Sequence, residues 1–281
     1  MNGRLLGTAA VTALALLGWW AAHLVGGGVE AGEMRSLSRY RVESLPERLP
    51  ERWQQQLTAA LAAAPEVELL EPDSLLVAER VLKGLAWIAP ESVRARLRLP
   101  DGIELEFQPR VLGVAVLQQG RLVPVSLDGT VLPAGLSTDH LSFLARIPAE
   151  GQDTLPEPGG RVADPLIQEA LRAVYEFDAV RQLLGGDLIG IERQPGYPRN
   201  AAGVPPAMAF VTRGGCRLHW GRSDESRDPR GVPAELKIQR LAVVLRAYPA
   251  LQGIAHVLLD APRVRLLDPS GAELRLPEVL R

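Results

Sequence analysis

The sequence predicts an α+β protein that is carried on a single N-terminal transmembrane helix, and three observations support this prediction. A stretch near the amino terminus has no charged side chain. The next part of the chain shows helical and strand periodicities in turn, and the rest is dominated by short strand patterns with few helices. We therefore expect a membrane span, then a β-α-α-β-β module, then a mixed β-sheet domain with packed helices.

The predicted span covers residues 5–25, where 21 consecutive positions lack Asp, Glu, Lys and Arg. At about 1.5 Å per residue this helix would be about 30 Å long, which matches the hydrocarbon core of a bilayer. Trp19 and Trp20 lie near its end, where aromatic side chains anchor a span. A cleaved secretory signal is the alternative, but signal cores usually have about 7 to 15 apolar residues, so the length favours a retained anchor.

The charges that flank this span do not decide its orientation. Arg4 lies before it, and arginines within residues 35–41 lie after it. Because residues 1–4 are too few to fold, we expect them to be a cytoplasmic tail and residues 26–36 to be a linker. The bulk of the chain is then expected outside the cytoplasm, attached to the inner membrane.

Composition narrows the classes of protein to which the chain can belong. With 281 residues, 47% hydrophobic content and a formal net charge of -2, it has the composition of folded domains without a basic surface for nucleic acid. Cys216 is the only cysteine, which excludes an intrachain disulfide. Gly26 to Ala31 fit a loose G-x-G-x-x-A pattern, but a dinucleotide site needs a strand before these glycines, so we interpret them as a flexible exit from the membrane.

Residues 37–110 show the periodicities of a small α+β module. Apolar residues spaced three or four apart predict helices, and strict alternation predicts half-buried strands. Asp73 is expected to cap the second helix. The predicted elements are a strand at 39–43, a helix from Pro50 to before Pro65, a helix from Asp73 to Gly84, and strands at 92–99 and 103–107.

The last two strands of this module are predicted to form a hairpin that turns at Pro100-Asp101-Gly102. A three-residue loop places Leu99 opposite Ile103 and keeps the apolar side chains on one face, whereas a two-residue loop would reverse the faces. The turn requires a positive φ at its glycine. In this register Arg98 lies opposite Glu104 as an exposed pair.

Strand patterns dominate residues 111–281, with two helical stretches between them. Pro/Gly-rich or mixed-charge segments at 150–161 and 221–231 predict exposed loops. The predicted elements are a helix at 164–184, strands at 188–192, 207–212 and 216–220, a helix at 233–248, and strands at 253–260 and 264–267.

Cys216 and His219 are the obvious candidates for a catalytic or metal-binding pair. With a period of two they face opposite sides of one strand, so they cannot form a dyad or share a metal ion. No H-E-x-x-H, C-x-x-C or G-x-S-x-G motif occurs in the chain. We therefore predict no catalytic, cofactor or metal site, a core cysteine, and a protein that is not an enzyme.

Residues 86–116, AWIAPESVRARLRLPDGIELEFQPRVLGVAV, resemble the run that closes the POTRA module in the FtsQ/DivIB family of bacterial cell-division proteins. The matching positions are Trp87-Ile88, Val93, Arg96, Leu99-Pro100, Arg110 and Val114-Ala115. Residues 122–132, LVPVSLDGTVL, are similar to the hairpin that follows in the family. The order of anchor, module and β-domain is also similar, so the resemblance covers the whole chain.

The resemblance implies a POTRA-like domain at 37–110 and an FtsQ-type β-domain at 111–281. It implies a bitopic inner-membrane scaffold without catalysis, which recruits FtsB/FtsL-like membrane proteins to the division septum. One alternative is a scaffold of the same plan in a secretion or outer-membrane assembly system. Another alternative is a membrane-tethered cell-wall enzyme.

The strand patterns at the carboxyl end predict a sheet edge, where unpaired backbone groups can accept a strand from another chain. By order, the resemblance implies partner binding at Leu259, Ala261, Arg263, Val264, Arg265, Leu266 and Leu267. The sequence leaves open a second arrangement, in which Glu273 to Leu276 fold back and cover this edge.

Overall fold

The structure is a computed structural model that describes the chain in segments. The described residues are 34–35, 40–42, 49–65, 67–68, 73–98, 102–137, 141, 144–148, 155–194, 205–229 and 231–276. The membrane span expected at residues 5–25 lies outside them. Within these segments, no helix has the length and apolar content needed to cross a bilayer.

The described part of the chain combines helices with mixed sheets, which confirms the α+β class. The helices are α1 (Glu51–Ala62), α2 (Ser74–Lys83), α3 (Pro165–Arg172), α4 (Val174–Leu183) and α5 (Ala234–Ala247). The strands are β1 (Met34–Arg35), β2 (Arg41–Val42), β3 (Val67–Glu68), β4 (Arg94–Arg98), β5 (Gly102–Glu106), β6 (Leu112–Gln118), β7 (Arg121–Ser126), β8 (Ala145–Pro148), β9 (Leu188–Arg193), β10 (Met208–Thr212), β11 (Arg217–Gly221), β12 (His256–Leu258) and β13 (Arg265–Leu267).

The chain divides into two compact units. Of the described residues, those between 34 and 42, between 55 and 84 and between 90 and 108 belong to the first unit, and those at 49–54, at 85–89 and from 109 to 276 belong to the second. In the first unit β2, β5 and β4 form a sheet in that order, with β2 parallel and β4 antiparallel to β5. The expected succession of strand, two helices and two strands is present, with the additional strand β3 between the helices.

The apolar periodicity of the first unit is reflected in its burial. Leu57 of α1 and Leu82 of α2 are buried, as are Ile103 and Leu105 of β5. Asp73 precedes α2 as expected, but its side chain makes no capping hydrogen bond.

The hairpin of β4 and β5 corrects the predicted register. Arg98 pairs with Gly102 and Leu97 with Ile103, so the pairing is displaced by two residues from the prediction. A displacement of two leaves every side chain on its expected face, which is why alternation could not distinguish the registers. Arg98 Nη1 still lies 2.6 Å from Glu104 Oε1, on a diagonal across the hairpin.

The second unit is built on one eight-stranded sheet with the order β13-β12-β11-β10-β9-β8-β6-β7. Strand residues that face one side of the sheet, such as Phe210 and Leu218, belong to one buried cluster with helix residues such as Ile167, Phe177 and Leu241. The three helices α3, α4 and α5 therefore contribute to a core on that face of the sheet.

Asp164 begins the helical region of the second unit. Its side chain accepts hydrogen bonds from the backbone N–H groups of Leu166 (2.7 Å) and Ile167 (3.1 Å), as an N-cap residue does. The single helix predicted at 164–184 is wrong, because Ala173 leaves helical geometry with φ −87° and ψ 5° and separates α3 from α4. Neither glycine nor proline marks the break, so the sequence pattern runs through it.

Gly102 has a φ of +121°, a conformation that L side chains rarely adopt. We expect Gly102→Ala to lower the free energy of unfolding by about 1–2 kcal/mol because of this backbone strain. Gly214→Ala is the matched control, since the added Cβ would meet nothing closer than Thr212 Oγ1 at 3.8 Å. Urea unfolding of both variants measures the effect, and equal stabilities would contradict the strain expected for alanine at position 102.

Candidate partner-binding edge

The carboxyl-terminal strands form one edge of the large sheet. β12 runs parallel to β11, and β13 runs antiparallel to β12 with Leu258 opposite Arg265 and His256 opposite Leu267. In the strand order of the sheet, β13 has no further named strand beyond it. The predicted position of the last strand at a sheet edge is therefore confirmed.

Arg240 on α5 holds the connection between these two strands. Its Nη1 donates hydrogen bonds to the backbone oxygens of Leu259 (2.8 Å) and Ala261 (2.9 Å), and its Nη2 donates to that of Pro262 (3.2 Å). A guanidinium is rigid and planar, so its hydrogen bonds to three backbone oxygens fix the shape of the turn. The sequence gives no signal for this role of Arg240, because the spacing of apolar residues does not depend on it.

The seven residues expected to bind a partner differ sharply in accessibility. Leu259, Val264 and Leu266 are buried and belong to the core cluster, so their side chains are not accessible to a partner in this arrangement. Arg263 and Arg265 are exposed, while Ala261 and Leu267 are half-buried. The strand alternates, so a partner at this edge meets backbone groups and the exposed side chains only.

The segment Ala272–Leu276, which we call the C-terminal strap, folds back along β13. Glu273 forms an antiparallel bridge with Leu267, and the backbone N–H of Leu274 donates to Leu266 O at 2.8 Å. The backbone N–H of Asp268 donates to Ala272 O at 3.0 Å. The alternative in which Glu273 to Leu276 cover the edge is therefore the one observed.

Three further interactions hold the C-terminal strap. Arg265 Nη2 lies 3.0 Å from Glu273 Oε2, and the Tyr248 hydroxyl donates to Arg275 O at 2.7 Å. Leu274 and Leu276 are half-buried against the core cluster of the second unit. The sequence gives no signal for the role of Tyr248, because its position at the end of the helix predicted at 233–248 suggests only core packing.

His219 and His256 lie beside this edge, on the face of the sheet opposite Cys216. Nε2 of His219 is 2.9 Å from Nδ1 of His256. Burial lowers the pKa of His219 and the neighbouring His256 lowers it further, while Asp260 raises it. Cys216 faces the core, where burial raises the pKa of its thiol to about 12, and His219 lies on the other face of the sheet, as the alternation predicted.

The loop expected to be exposed at 221–231 is partly anchored in the interior. Glu169 of α3 is fully buried and accepts hydrogen bonds from the Ser223 backbone N–H (2.8 Å) and from the Ser226 hydroxyl (2.6 Å). Arg172 donates to the same carboxylate at 2.9 Å. A buried carboxylate needs such partners, and the loop supplies them. Asp224, Glu225 and Arg227 of the loop are exposed as predicted, whereas Ser223 is buried and fixes the loop to α3.

Comparisons with known proteins do not assign a role to this edge. No protein-family model matches the chain, and no curated protein is similar to it in sequence. Within the described segments, no group of three or more His, Cys, Asp or Glu side chains is placed to hold a metal ion. The candidate site is therefore defined by the geometry of β13, the C-terminal strap and the arginines beside them.

The burial of Leu266 predicts that the residue acts through stability. We expect Leu266→Ala to lower the free energy of unfolding by about 2–5 kcal/mol, because it leaves a cavity in the core. Arg263→Ala is the matched control from the same hairpin, and its effect should stay within about 0.5 kcal/mol because the side chain is exposed. Calorimetric or urea unfolding measures both, and similar losses would contradict the packing described.

The lowered pKa of His219 predicts a pH dependence of stability. As the pH falls below about 6.5, the unfolded chain takes up a proton on His219 before the folded chain does. Stability is therefore complete above that pH and decreases as the pH falls towards the lower pKa of the folded state. Unfolding between pH 7.5 and 5.5 should be less pH-dependent in His219→Gln than in the original chain. His256→Gln should keep most of the dependence, because burial is the larger cause, and a dependence unchanged in His219→Gln would contradict this assignment.

Proposed function

We propose that this chain is a non-enzymatic bitopic scaffold of the bacterial cell-division machinery. Residues 5–25 anchor it in the inner membrane, and residues 26–281 lie outside the cytoplasm. The scaffold recruits FtsB/FtsL-like division proteins to the septum, and a strand of the recruited protein adds to the sheet edge at β13. The proposal requires backbone pairing and no side-chain catalysis.

Two features of the folded units support the proposal. The first unit has the strand, helix, helix, strand, strand order of a POTRA module, with β3 added between the helices, and it contains residues 90–108 of the stretch that resembles the FtsQ/DivIB family. The second unit contains the hairpin of β6 and β7, which includes residues 122–126 of the second similar stretch. We therefore assign the first unit as POTRA-like and the second as an FtsQ-type β-domain.

The observation that carries the proposal is that β13 lies at the end of the eight-stranded sheet and is paired on its outer side by only a short segment. An outer edge that accepts one antiparallel strand in cis has the backbone geometry to accept another in trans. The exposed Arg263 and Arg265 provide side chains that an incoming strand would meet.

Site-specific photo-crosslinking in the native host tests this function. A photoreactive amino acid at Arg263 or Arg265 should give covalent adducts with single-pass division proteins, because both side chains are exposed at the edge. The same amino acid at Arg121 is the matched control, since this exposed residue lies on β7 at the opposite end of the sheet. We expect adducts from the first two positions to exceed those from Arg121 severalfold.

The identity of the adducts separates the competing functions. Division proteins among the adducts, together with enrichment of a fluorescent fusion at the septum, agree with the proposal. Adducts with secretion or outer-membrane assembly proteins would instead support the alternative scaffold. Equal adducts from Arg121 and from the β13 positions would contradict recognition at this edge.

A further inference from the structure

The C-terminal strap behaves as a strand although it forms only one bridge. Exposure alternates along it: Glu273 and Arg275 are exposed, whereas Leu274 and Leu276 are half-buried. The two leucines pack on the core side of the sheet, and the two charged residues face the other side with Arg265. This period of two is that of a strand laid against β13.

The contacts of the C-terminal strap define the chemistry that the β13 edge accepts. The residue opposite Leu267 is acidic: Glu273 bridges Leu267 through its backbone. Its carboxylate lies 3.0 Å from the Arg265 guanidinium, which selects a negative charge at this position. At the next position it holds an apolar residue, since Leu274 pairs through its backbone with Leu266 and packs against the core. Leu276 repeats the apolar requirement two residues later. The accepted pattern is acidic, apolar, any residue, apolar.

The C-terminal strap is held far less firmly than the strand on which it lies. The Arg265 and Glu273 side chains are 51% and 48% exposed, so water screens their ion pair, whereas Leu266 is 0% exposed. The Asp268 carboxylate accepts hydrogen bonds from the N–H groups of Ser270 and Ala272, which keeps the strap close to β13. A loosely held segment at high local concentration covers an edge reversibly.

We propose that the C-terminal strap is an exchangeable occupant of the β13 edge, and that the partner is an extended segment with the pattern acidic, apolar, any residue, apolar. The partner strand replaces the strap in the same antiparallel register, with its acidic residue on Arg265. This inference rests on the proposed function for the identity of the partner. The preference of the edge for this pattern depends only on the geometry of the strap.

A peptide exchange experiment tests the preference without the native partner. The probe is a fluorescein-labelled peptide, SGAELRL, which copies residues 270–276, and its binding to the full chain is measured by fluorescence anisotropy. In the original chain the strap competes with the peptide. Leu274→Asp removes an apolar contact of the strap, so this variant should bind the peptide about tenfold more tightly. Leu117→Asp is the matched control at a half-exposed leucine of the same sheet, and it should bind as the original chain does.

Charge reversal distinguishes specific recognition from general adhesion. In the Leu274→Asp chain, a peptide that carries Glu273→Lys should bind about threefold more weakly, because its lysine meets Arg265. Adding Arg265→Glu to the chain should reverse the preference between the two peptides. If Leu274→Asp does not fold by circular dichroism, Tyr248→Phe replaces it, since this change removes only the hydroxyl that donates to Arg275 O.

Failure of this inference can be distinguished from failure of the proposed function. Absence of peptide binding to the loosened variants, or equal binding of the Glu and Lys peptides, would overturn the inference. Peptide binding with the expected charge preference, combined with a failed crosslinking experiment, would retain the edge preference and reject the division scaffold. Binding of division proteins without peptide exchange would do the reverse.

Discussion

A buried lysine that lies over an indole ring joins the helices to the sheet in the second unit. Lys237 of α5 is 1% exposed, its Nζ lies 4.9 Å from the centre of the Trp220 ring, and it donates to Arg222 O at 2.9 Å. Trp220 in turn donates its N–H to Glu176 of α4. Burial lowers the pKa of Lys237, and the charge of Glu176 opposes this effect. A desolvated cation–π contact of this kind can contribute about 2 kcal/mol.

The position of the carboxyl-terminal edge follows from this interaction through α5. Arg240 lies three residues after Lys237 and bonds the turn between β12 and β13, and Tyr248 follows the helix and bonds the C-terminal strap. The connection before β13 is thus bonded by the helix that carries Lys237, and the C-terminal strap is bonded by the residue that follows this helix.

The sequence predicted the succession of elements well, since the periods of two and 3.6 residues are set by burial on one face. It placed α5, β10 and β11 within one or two residues of their observed bounds. The pairing of β4 with β5 was missed by two residues because both registers bury the same side chains. The polar clamp at Arg240 was missed because its acceptors are backbone atoms 19 or more positions away, which no local pattern records.

The same limit applies to the candidate site. Alternation places Arg265 and Leu266 on opposite faces of the strand. The resemblance nevertheless implied partner binding at both residues, because it transfers positions along the chain and not the faces of the strand. Burial decides between them, and burial depends on which face of β13 meets the core. The sequence allowed the fold-back of Glu273 as an alternative, because a charged residue two positions after a glycine turn can pair with a strand. Only the observed distance between Arg265 and Glu273 decides between an open and a covered edge.

The two ends of the large sheet are covered by different means. At the β7 end, Pro124 O accepts from the Leu132 N–H at 2.9 Å, so the backbone of this residue faces outward and its missing N–H leaves no donor there. Ser126 N–H donates to Thr130 O at 3.0 Å and continues the cover through a tight turn. Residues 130–132 thus fold back on β7 through the Val125–Val131 bridge, and Val131 and Leu132 are each 1% exposed, whereas the β13 edge is covered by a strap with an exposed ion pair. An edge that had only to be protected from aggregation could have been closed as the β7 end is. The use of a complementary strand at β13 is therefore the arrangement expected of an edge that exchanges its occupant.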